Sequence, residues 1–244
     1  MDTKTKKSSL TNPYDAVGYA HNAGLDYILS KNTPADKIDI KKVIDLTSKF
    51  MVSVKDTEIK PDKVSLLDIN YIRFYEFVSG NINAFINVDI EEYYRDAKMN
   101  KTQICYINDV LNVSDNLDLE YEKTLGILLN IENTILNSEL TEREKQYPLI
   151  TVAVAKYSVQ YWINQINDPK SKWIDFVGGS GDLAKFKWPW RADGAGAAGG
   201  AISGGVSGAV SGGPIGALIG AAAGALGGAI GNSVRVAIEN AGDE

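Results

Sequence analysis

The chain has 244 residues and is poor in the side chains that build disulfides and metal sites, with one cysteine, Cys105, and one histidine, His21. A single thiol cannot form a disulfide within the chain, which favours a reducing compartment over a disulfide-built secreted scaffold. A single histidine excludes a His-rich metal site or a His–His acid–base pair within one chain. The sequence therefore indicates neither a metal nor another cofactor.

Positive charge is also scarce, because 25 Lys and Arg residues face 31 Asp and Glu residues, a formal net charge of −6. Proteins that bind phosphate backbones usually carry a basic domain or stripe, so we expect no nucleic acid partner. The opening residues, MDTKTKKSSLTNPYD, contain no apolar run. We therefore expect synthesis in the cytoplasm without a Sec-type signal, and export only by a specialised system.

Helix-start signals are frequent before residue 193. Asn12-Pro13 and Thr33-Pro34 each place a capping residue before a proline suited to the first helical position. Thr141 and Glu144 fit a capping box. Sustained period-two alternation and Asn-Gly hairpin signals are missing, so the sequence predicts an all-α unit.

Apolar residues in this unit recur at helical spacing and predict a bundle of about six helices. The three clearest stripes are Tyr14, Val17, Leu25 and Ile28; Val64, Leu67, Tyr71, Phe74 and Val78; and Tyr121, Leu125, Leu128, Ile131 and Ile135.

Residues 149–166, LITVAVAKYSVQYWINQI, are apolar on almost every side. A helix of this kind lies at the centre of a bundle or spans a membrane. Lys156, Gln160, Asn164 and Gln165 favour the bundle, while the β-branched residues leave a buried strand as the alternative.

Signals for catalysis are weak. His21 falls on the first apolar stripe, which favours a histidine at the core edge with one hydrogen-bond partner over a catalytic base. Residues 194–199 satisfy G-x-G-x-x-G, but WPWRAD precedes them and no acidic residue follows before Glu239, which argues against a dinucleotide site. We expect no enzymatic activity; a helical enzyme with an unusual tail is the third-ranked interpretation.

The segment 194–231 differs from the rest, holding 15 of the 23 glycines, 11 alanines and no aromatic residue. Nine of its glycines recur at an unbroken spacing of four, which a flexible linker does not need. Such a row on a helix is a groove that a second helix enters until the two backbones nearly touch. The predicted helix-packing groove is Gly196, Gly200, Gly204, Gly208, Gly212, Gly216, Gly220, Gly224 and Gly228.

Energetics restrict where such a helix exists. Glycine costs about 1 kcal/mol relative to alanine in a helix interior, so fifteen cost on the order of 15 kcal/mol, more than the usual net stability of a domain. An isolated helix in water is therefore excluded. In a bilayer, backbone N–H and C=O groups without hydrogen bonds are so costly that the helical conformation is favoured. Burial against other glycine-rich helices also favours the helix.

Length predicts that this segment folds back on itself. The 41 uncharged residues 194–234 would span about 60 Å as one helix, twice the bilayer hydrocarbon thickness of about 30 Å. Gly212, Gly213 and Pro214 lie in the middle and form the predicted hinge. The two spans are about 194–212 and 215–235, and their few large aliphatic residues favour assisted or oligomeric insertion.

Tryptophans alternate with basic residues just before the tail, which is typical of a membrane interface. The alternative is a domain edge whose tryptophans pack inward. The predicted interface residues are Trp173, Lys185, Lys187, Trp188, Trp190 and Arg191.

The tail GAAGGAISGGVSGAVSGGPIGALIGAAAGALGGAIG resembles glycine-zipper segments of bacterial membrane-active proteins, including two-peptide bacteriocins and some secreted toxins. The opening NPYDAVGYAHNAGLDYIL resembles the start of Bacteroidota proteins without an assigned function. The first resemblance, to bacteriocin-like and toxin segments, implies close helix packing, often in membranes, and does not point to one activity.

These observations predict four regions: a soluble α-helical domain at 1–171, an interfacial connector at 172–193, a glycine-zipper hairpin at 194–238 and an acidic tail at 239–244. The first interpretation is a membrane-inserting, oligomerising protein of the pore-forming antibacterial toxin or effector class. The second is a non-toxic membrane-tethering or self-assembly module. Expected partners are the lipid bilayer, further copies of the chain and, for a toxin, an immunity or chaperone/delivery protein.

Overall fold

The apolar stripes of the N-terminal unit pack around one central helix in the computed structural model. The structure describes residues 11–31, 42, 45–47, 49–50, 91, 94–95, 97–115, 121–173 and 229. Four helices have defined bounds within these ranges: α1 at Asp15–Ser30, α2 at Lys101–Asp115, α3 at Tyr121–Leu136 and α4 at Glu142–Asn167. No described residue is in a strand, so the all-α class is confirmed.

Helix α4 is the centre of this arrangement, since α1, α2 and α3 all pack against it. Its residues Leu149, Ile150 and Trp162 are among the most completely buried side chains. The prediction that residues 149–166 form a central bundle helix is confirmed, and the alternative of a buried strand is wrong. Val17, Leu25, Ile28, Leu128 and Ile135, from the first and third stripes, are also buried.

A second predicted feature, the capping box at the start of α4, is present. The Thr141 hydroxyl accepts from the Glu144 backbone N–H at 3.3 Å, and the Glu144 carboxylate accepts from the Thr141 backbone N–H at 2.9 Å. Two backbone donors at the helix start are thereby satisfied reciprocally. Bonds to the carboxylate from the Thr141 N–H, from the Thr141 hydroxyl and from Asn100 hold the pKa of Glu144 below its usual value.

Helix α2 begins with a similar reciprocal pair, which the sequence analysis did not identify. The Asn100 side-chain oxygen accepts from the Gln103 N–H at 3.0 Å, and the Gln103 side-chain oxygen accepts from the Asn100 N–H at 3.0 Å. Asn followed three residues later by Gln is the signal that reveals such a start. The two boxes are joined because Asn100 Nδ2 donates to Glu144 Oε1 at 2.9 Å.

Gln103 also compensates for a proline inside α4. Pro148 has no N–H, so it cannot donate to the carbonyl of Glu144, four residues earlier. Gln103 Nε2 donates to that carbonyl at 3.0 Å. The side chain thus replaces the missing backbone donor and ties α2 to the first turns of α4.

The connection between α3 and α4 is short, so these two helices form a local antiparallel hairpin. Buried Lys145 of α4 donates from Nζ to the carbonyl of Leu136 at 3.0 Å, at the C-terminal end of α3. An ammonium there satisfies a free carbonyl and complements the negative end of the helix dipole.

The start of α1 differs from the sequence prediction, because the helix begins at Asp15 rather than at Pro13. The Asn12 side-chain oxygen accepts from the Tyr14 N–H at 2.9 Å, so Asn12 and Pro13 form a turn before the helix. Asn12 is 3% exposed and its amide nitrogen points into the bundle. These interior contacts hold Asn12 outside the first helical turn.

Several predictions concern residues outside the described part of the chain. They are the helix start at Thr33-Pro34, the stripe Val64–Val78, the hinge and every glycine of the predicted groove. Within the tail the described residue is Ala229, which is helical and fully buried. None of the described helices combines the length and apolarity needed to cross a membrane.

Candidate functional site

The most unusual feature of the described part is a cluster of charged and polar side chains inside the bundle, termed the Lys156 cluster. It consists of Lys156 of α4, Glu132 of α3, Asp15 of α1 and Asn12 just before α1. Lys156 Nζ lies 2.6 Å from Glu132 Oε1 and 3.0 Å from Asp15 Oδ1. One ammonium therefore joins three helices.

The contacts of the Lys156 cluster are largely shielded from water, which strengthens the attraction between the charges. The side chains of Lys156 and Glu132 are 10% and 9% exposed, while that of Asp15 is 27% exposed. Asn12 completes the cluster by donating from Nδ2 to Glu132 Oε1 at 2.7 Å and to the Leu149 carbonyl at 2.9 Å. Buried charges are tolerated when they are paired and hydrogen-bonded, as they are here.

The two carboxylates determine the protonation of Lys156. Burial lowers its pKa, but the hydrogen bonds and charges of Glu132 and Asp15 raise it by more, so the pKa lies above its ordinary value. The amine therefore stays protonated at neutral pH and is not available as a base or nucleophile. The same surroundings raise the pKa of Tyr157, mainly by burial and by the negative charge of Asp15.

Further polar contacts continue along one face of α4 and form, with the Asp15–Lys156 pair, the α1–α4 seam. Asn22 Nδ2 donates to the carbonyl of Tyr157 at 3.0 Å. The Tyr161 hydroxyl donates to Asp26 Oδ1 at 2.9 Å. Residue numbers increase in both helices from one contact to the next, so α1 and α4 run in the same direction.

The seam also includes a point of very close approach. A Cβ placed on Gly18 would lie 2.6 Å from the Ala153 carbonyl oxygen and 2.6 Å from Tyr157 Cδ2. No real side chain fits there without displacement of the α4 backbone, so only glycine permits this helix separation. Sequence analysis of glycine spacing in the tail did not identify this isolated contact.

His21 is a core residue rather than a residue of the core edge. It is fully buried, and its Nδ1 lies 3.0 Å from the Asn22 side-chain oxygen. Burial lowers its pKa to about 4, so the ring is neutral at physiological pH. The sequence predicted a histidine at the core edge with one hydrogen-bond partner, and the burial is deeper than predicted.

Trp173 requires a correction, because the structure places it in the core rather than at a membrane interface. It is 2% exposed, its ring centroid lies 5.0 Å from that of Trp162, and its Nε1 donates to the Tyr161 hydroxyl at 2.9 Å. A turn at 168–171, closed by a bond from Ser171 N to the Asp168 carbonyl at 2.9 Å, brings it back against α4. In this conformation Trp173 packs against α4.

The other predicted interface residues, Lys185, Lys187, Trp188, Trp190 and Arg191, lie outside the described residues, as do Gly212, Gly213 and Pro214. Among the described residues, no group of three or more His, Cys, Asp or Glu side chains is placed to hold a metal ion. Cys105 is exposed, with Sγ 3.9 Å from Asp109 Oδ2.

In the sequence, Lys156 favours a bundle over a membrane span, but no local pattern identifies its partners. A charged residue within an apolar stretch needs a partner when it is buried. Which of the 31 acidic residues supplies it depends on how the helices pack. The chain matches no family model, no curated protein and no solved structure.

Proposed function

We propose that this chain is a membrane-inserting, oligomerising protein of the pore-forming antibacterial effector class, in which a helical unit carries a glycine-zipper hairpin. The observation that carries the proposal is the row of nine glycines at a spacing of four from Gly196 to Gly228. The segment 194–234 carries no charge, and its glycine row has no side chains. Both properties suit helix association in a bilayer.

Two further observations support the proposal. Ala229, which directly follows the last glycine of the row, is helical and fully buried. The tail is therefore helical at this point, as the proposed glycine zipper requires. The helices α1 to α4 bury their own apolar stripes on one another, so this core does not depend on a membrane.

A second candidate function is a non-toxic tether or self-assembly module. The observation that favours it is the low content of large aliphatic residues in 194–212, which makes spontaneous insertion of this half marginal. An immunity or delivery protein is required only by the effector interpretation, since a tether harms no membrane.

The test uses full-length protein with dye-loaded vesicles of phosphatidylglycerol and phosphatidylcholine, measuring flotation and dye release. Gly208→Leu and Gly220→Leu place a side chain in the groove while raising helix propensity and apolarity, so monomer insertion does not suffer. We expect dye release and oligomer formation to fall at least tenfold in both variants.

Ala209→Leu is the matched control, because it adds a leucine one position away from the glycine row. Equal effects at 208 and 209 would show that the four-residue phase carries no packing information. Flotation without dye release identifies the tether. A monomer that ignores vesicles contradicts both functions.

A further inference from the structure

Helix α1 is held on the α3–α4 hairpin mainly by apolar side chains. Val17, Leu25 and Ile28 are buried, and among the described helices α1 makes the most extensive contact with α4. Tyr27 also packs on Phe50, with ring centroids 5.5 Å apart. The hydrophobic effect is non-directional and follows the apolar area removed from water. Burial of this kind therefore makes the contact strong but selects its direction and register only weakly.

The central part of α4 presents apolar surface on every side. Residues 148–156 are all buried, and this run covers about two and a half helical turns. The close contact at Gly18 needs a small residue opposite. Ala153 meets it, but Ala155, on nearly the opposite side of α4, is just as small and as fully buried. Side-chain size and apolarity by themselves thus permit more than one docking position.

Chain connectivity does not restrict α1 either. The hairpin is joined by the short segment 137–141, which sets the alignment of α3 with α4. By contrast, more than 100 residues separate the end of α1 at Ser30 from the start of α4 at Glu142. The position of α1 must therefore be specified by contacts rather than by a loop.

The Lys156–Glu132 pair is the polar exception on this apolar surface. Lys156 is the only charged residue in 148–156, and its ammonium lies 2.6 Å from Glu132. The start of α1 matches the pair, since Asp15 lies 3.0 Å from Lys156 and Asn12 donates to Glu132 at 2.7 Å. A shifted or reversed α1 would cover the pair with apolar side chains and leave both charges one partner short.

We propose that the Lys156 cluster determines the direction and register in which α1 docks on the α3–α4 hairpin, whereas apolar burial provides the strength of the contact. Buried ion pairs contribute little net stability relative to apolar side chains of similar volume, so the two roles are separable. The bond from Tyr161 to Asp26 is less suited to this role, because Asp26 is exposed and water can replace it. The proposal concerns the helical unit and does not depend on the function of the tail.

The test is fluorine NMR of the full-length protein labelled with fluorotryptophan, in which each tryptophan gives one signal per conformation. Trp173 reports how α1 docks, because its Nε1 donates to the Tyr161 hydroxyl, which donates to Asp26 of α1. Trp162 packs directly on Trp173, with ring centroids 5.0 Å apart. Trp162→Phe and Trp173→Phe assign the two signals. In the wild-type protein we expect a single signal from each.

The decisive variant combines Lys156→Met with Glu132→Met, which removes the ion pair and keeps side chains of similar length. We expect the signals of Trp162 and Trp173 each to split, because α1 then docks in more than one way. The denaturation midpoint of the double variant should lie above that of Glu132→Met alone. The single variant leaves Lys156 inside the core with one carboxylate fewer, whereas the double variant buries no ammonium there.

Thr151→Val is the matched control. Thr151 is polar and fully buried in the same helix, but its hydroxyl donates to the Tyr147 carbonyl of α4 itself at 2.9 Å, so it carries no information about α1. We expect unsplit signals from this variant, and splitting here would assign the effect to the loss of any buried polar group. Unsplit signals in the double variant would overturn the proposal, because α1 would then dock uniquely without the cluster. A double variant that is unfolded, or no more stable than Glu132→Met, would also overturn it, because the cluster would then provide the strength.

Discussion

The helical unit packs its helices by means that differ from those we propose for the glycine-rich tail. In the helical unit a single glycine, Gly18, allows the closest approach, and buried charges and large apolar side chains surround it. In the tail nine glycines repeat in phase, and no charged residue lies between Asp193 and Arg235. The first region buries large apolar side chains on one another. The second has mainly small side chains, so the proposed function places it against another helix or in a bilayer.

The largest expected effect concerns the buried charges of the helical unit. Glu132→Ala removes the nearest partner of Lys156 and of the Asn12 amide, so a charge and a donor inside the core each lose one of their two partners. We expect the free energy of unfolding to fall by about 4 kcal/mol, measured by chemical denaturation of the full-length protein.

The same variant tests the contrast, because oligomer formation by the tail should not depend on Glu132. Loss of tail association under conditions where the helical unit remains folded would show that the two regions are coupled. A decrease in the free energy of unfolding below about 1 kcal/mol would mean that the Lys156–Glu132 pair behaves as a solvent-exposed ion pair.

The next effect is a pH dependence caused by His21. Its pKa is about 4 in the folded protein against 6.5 when unfolded, so the unfolded state binds the proton more strongly. The contribution is fully present above pH 6.5 and is lost as the pH falls towards 4, by about 3 kcal/mol in total.

Denaturation at pH 7.5, 6, 5 and 4 measures this loss, and His21→Gln should reduce the slope because its side chain does not titrate. A slope that is the same in both proteins would assign the acid sensitivity to other groups. The tail has no titratable side chain between 194 and 234, so its association should not follow this titration.

A smaller effect is expected where a methyl group enters the α1–α4 seam. Gly18→Ala forces the α4 backbone and the Tyr157 ring to move, and we expect a loss of about 2 kcal/mol. Gly126→Ala in α3 is the matched control, because a Cβ there meets no atom within 4 Å. It should raise stability by about 0.5–1 kcal/mol through helix propensity.

Thermal unfolding of Gly18→Ala and Gly126→Ala measures both expected changes in stability. Similar behaviour of the two alanines would contradict a tight contact at Gly18. The outcome also shows whether glycine in this protein permits close helix approach outside the tail.

The smallest effect is expected from adding a glycine where the backbone favours one. Lys98 has φ of 51°, and the bonds from Met99 N to the Tyr94 carbonyl and from Lys98 N to the Arg95 carbonyl form a helix-ending motif around it. Lys98→Gly should therefore stabilise the fold by up to about 1 kcal/mol. A loss of stability would show that the Lys98 side chain contributes more than its backbone strain costs.

Local signals predicted several elements of the fold. Thr141 and Glu144 specify the start of α4 because a capping box depends on residues three positions apart. The stripes Val17–Leu25–Ile28 and Leu128–Ile135 specify which faces are buried because helical geometry repeats every 3.6 residues. The start of α1 was predicted less well, since contacts from Asn12 to Glu132 and Leu149 over more than 100 residues changed its local role.

The candidate site could be predicted only in part for the same reason. Lys156 stands out in an apolar stretch, yet Asp15 and Glu132 resemble many other acidic residues until three helices meet. Trp173 was predicted at an interface from its aromatic and basic neighbours, but the turn at Asp168 directs it into the core.

By itself the sequence determined the helical class, the central position of residues 149–166 and the four-residue phase of the tail, because each depends on spacing along one chain segment. Only the tertiary structure decided the partners of Lys156, the burial of His21 and Trp173 and the need for glycine at position 18. Those features depend on which helices become neighbours, and the packing of side chains distant in sequence sets that arrangement.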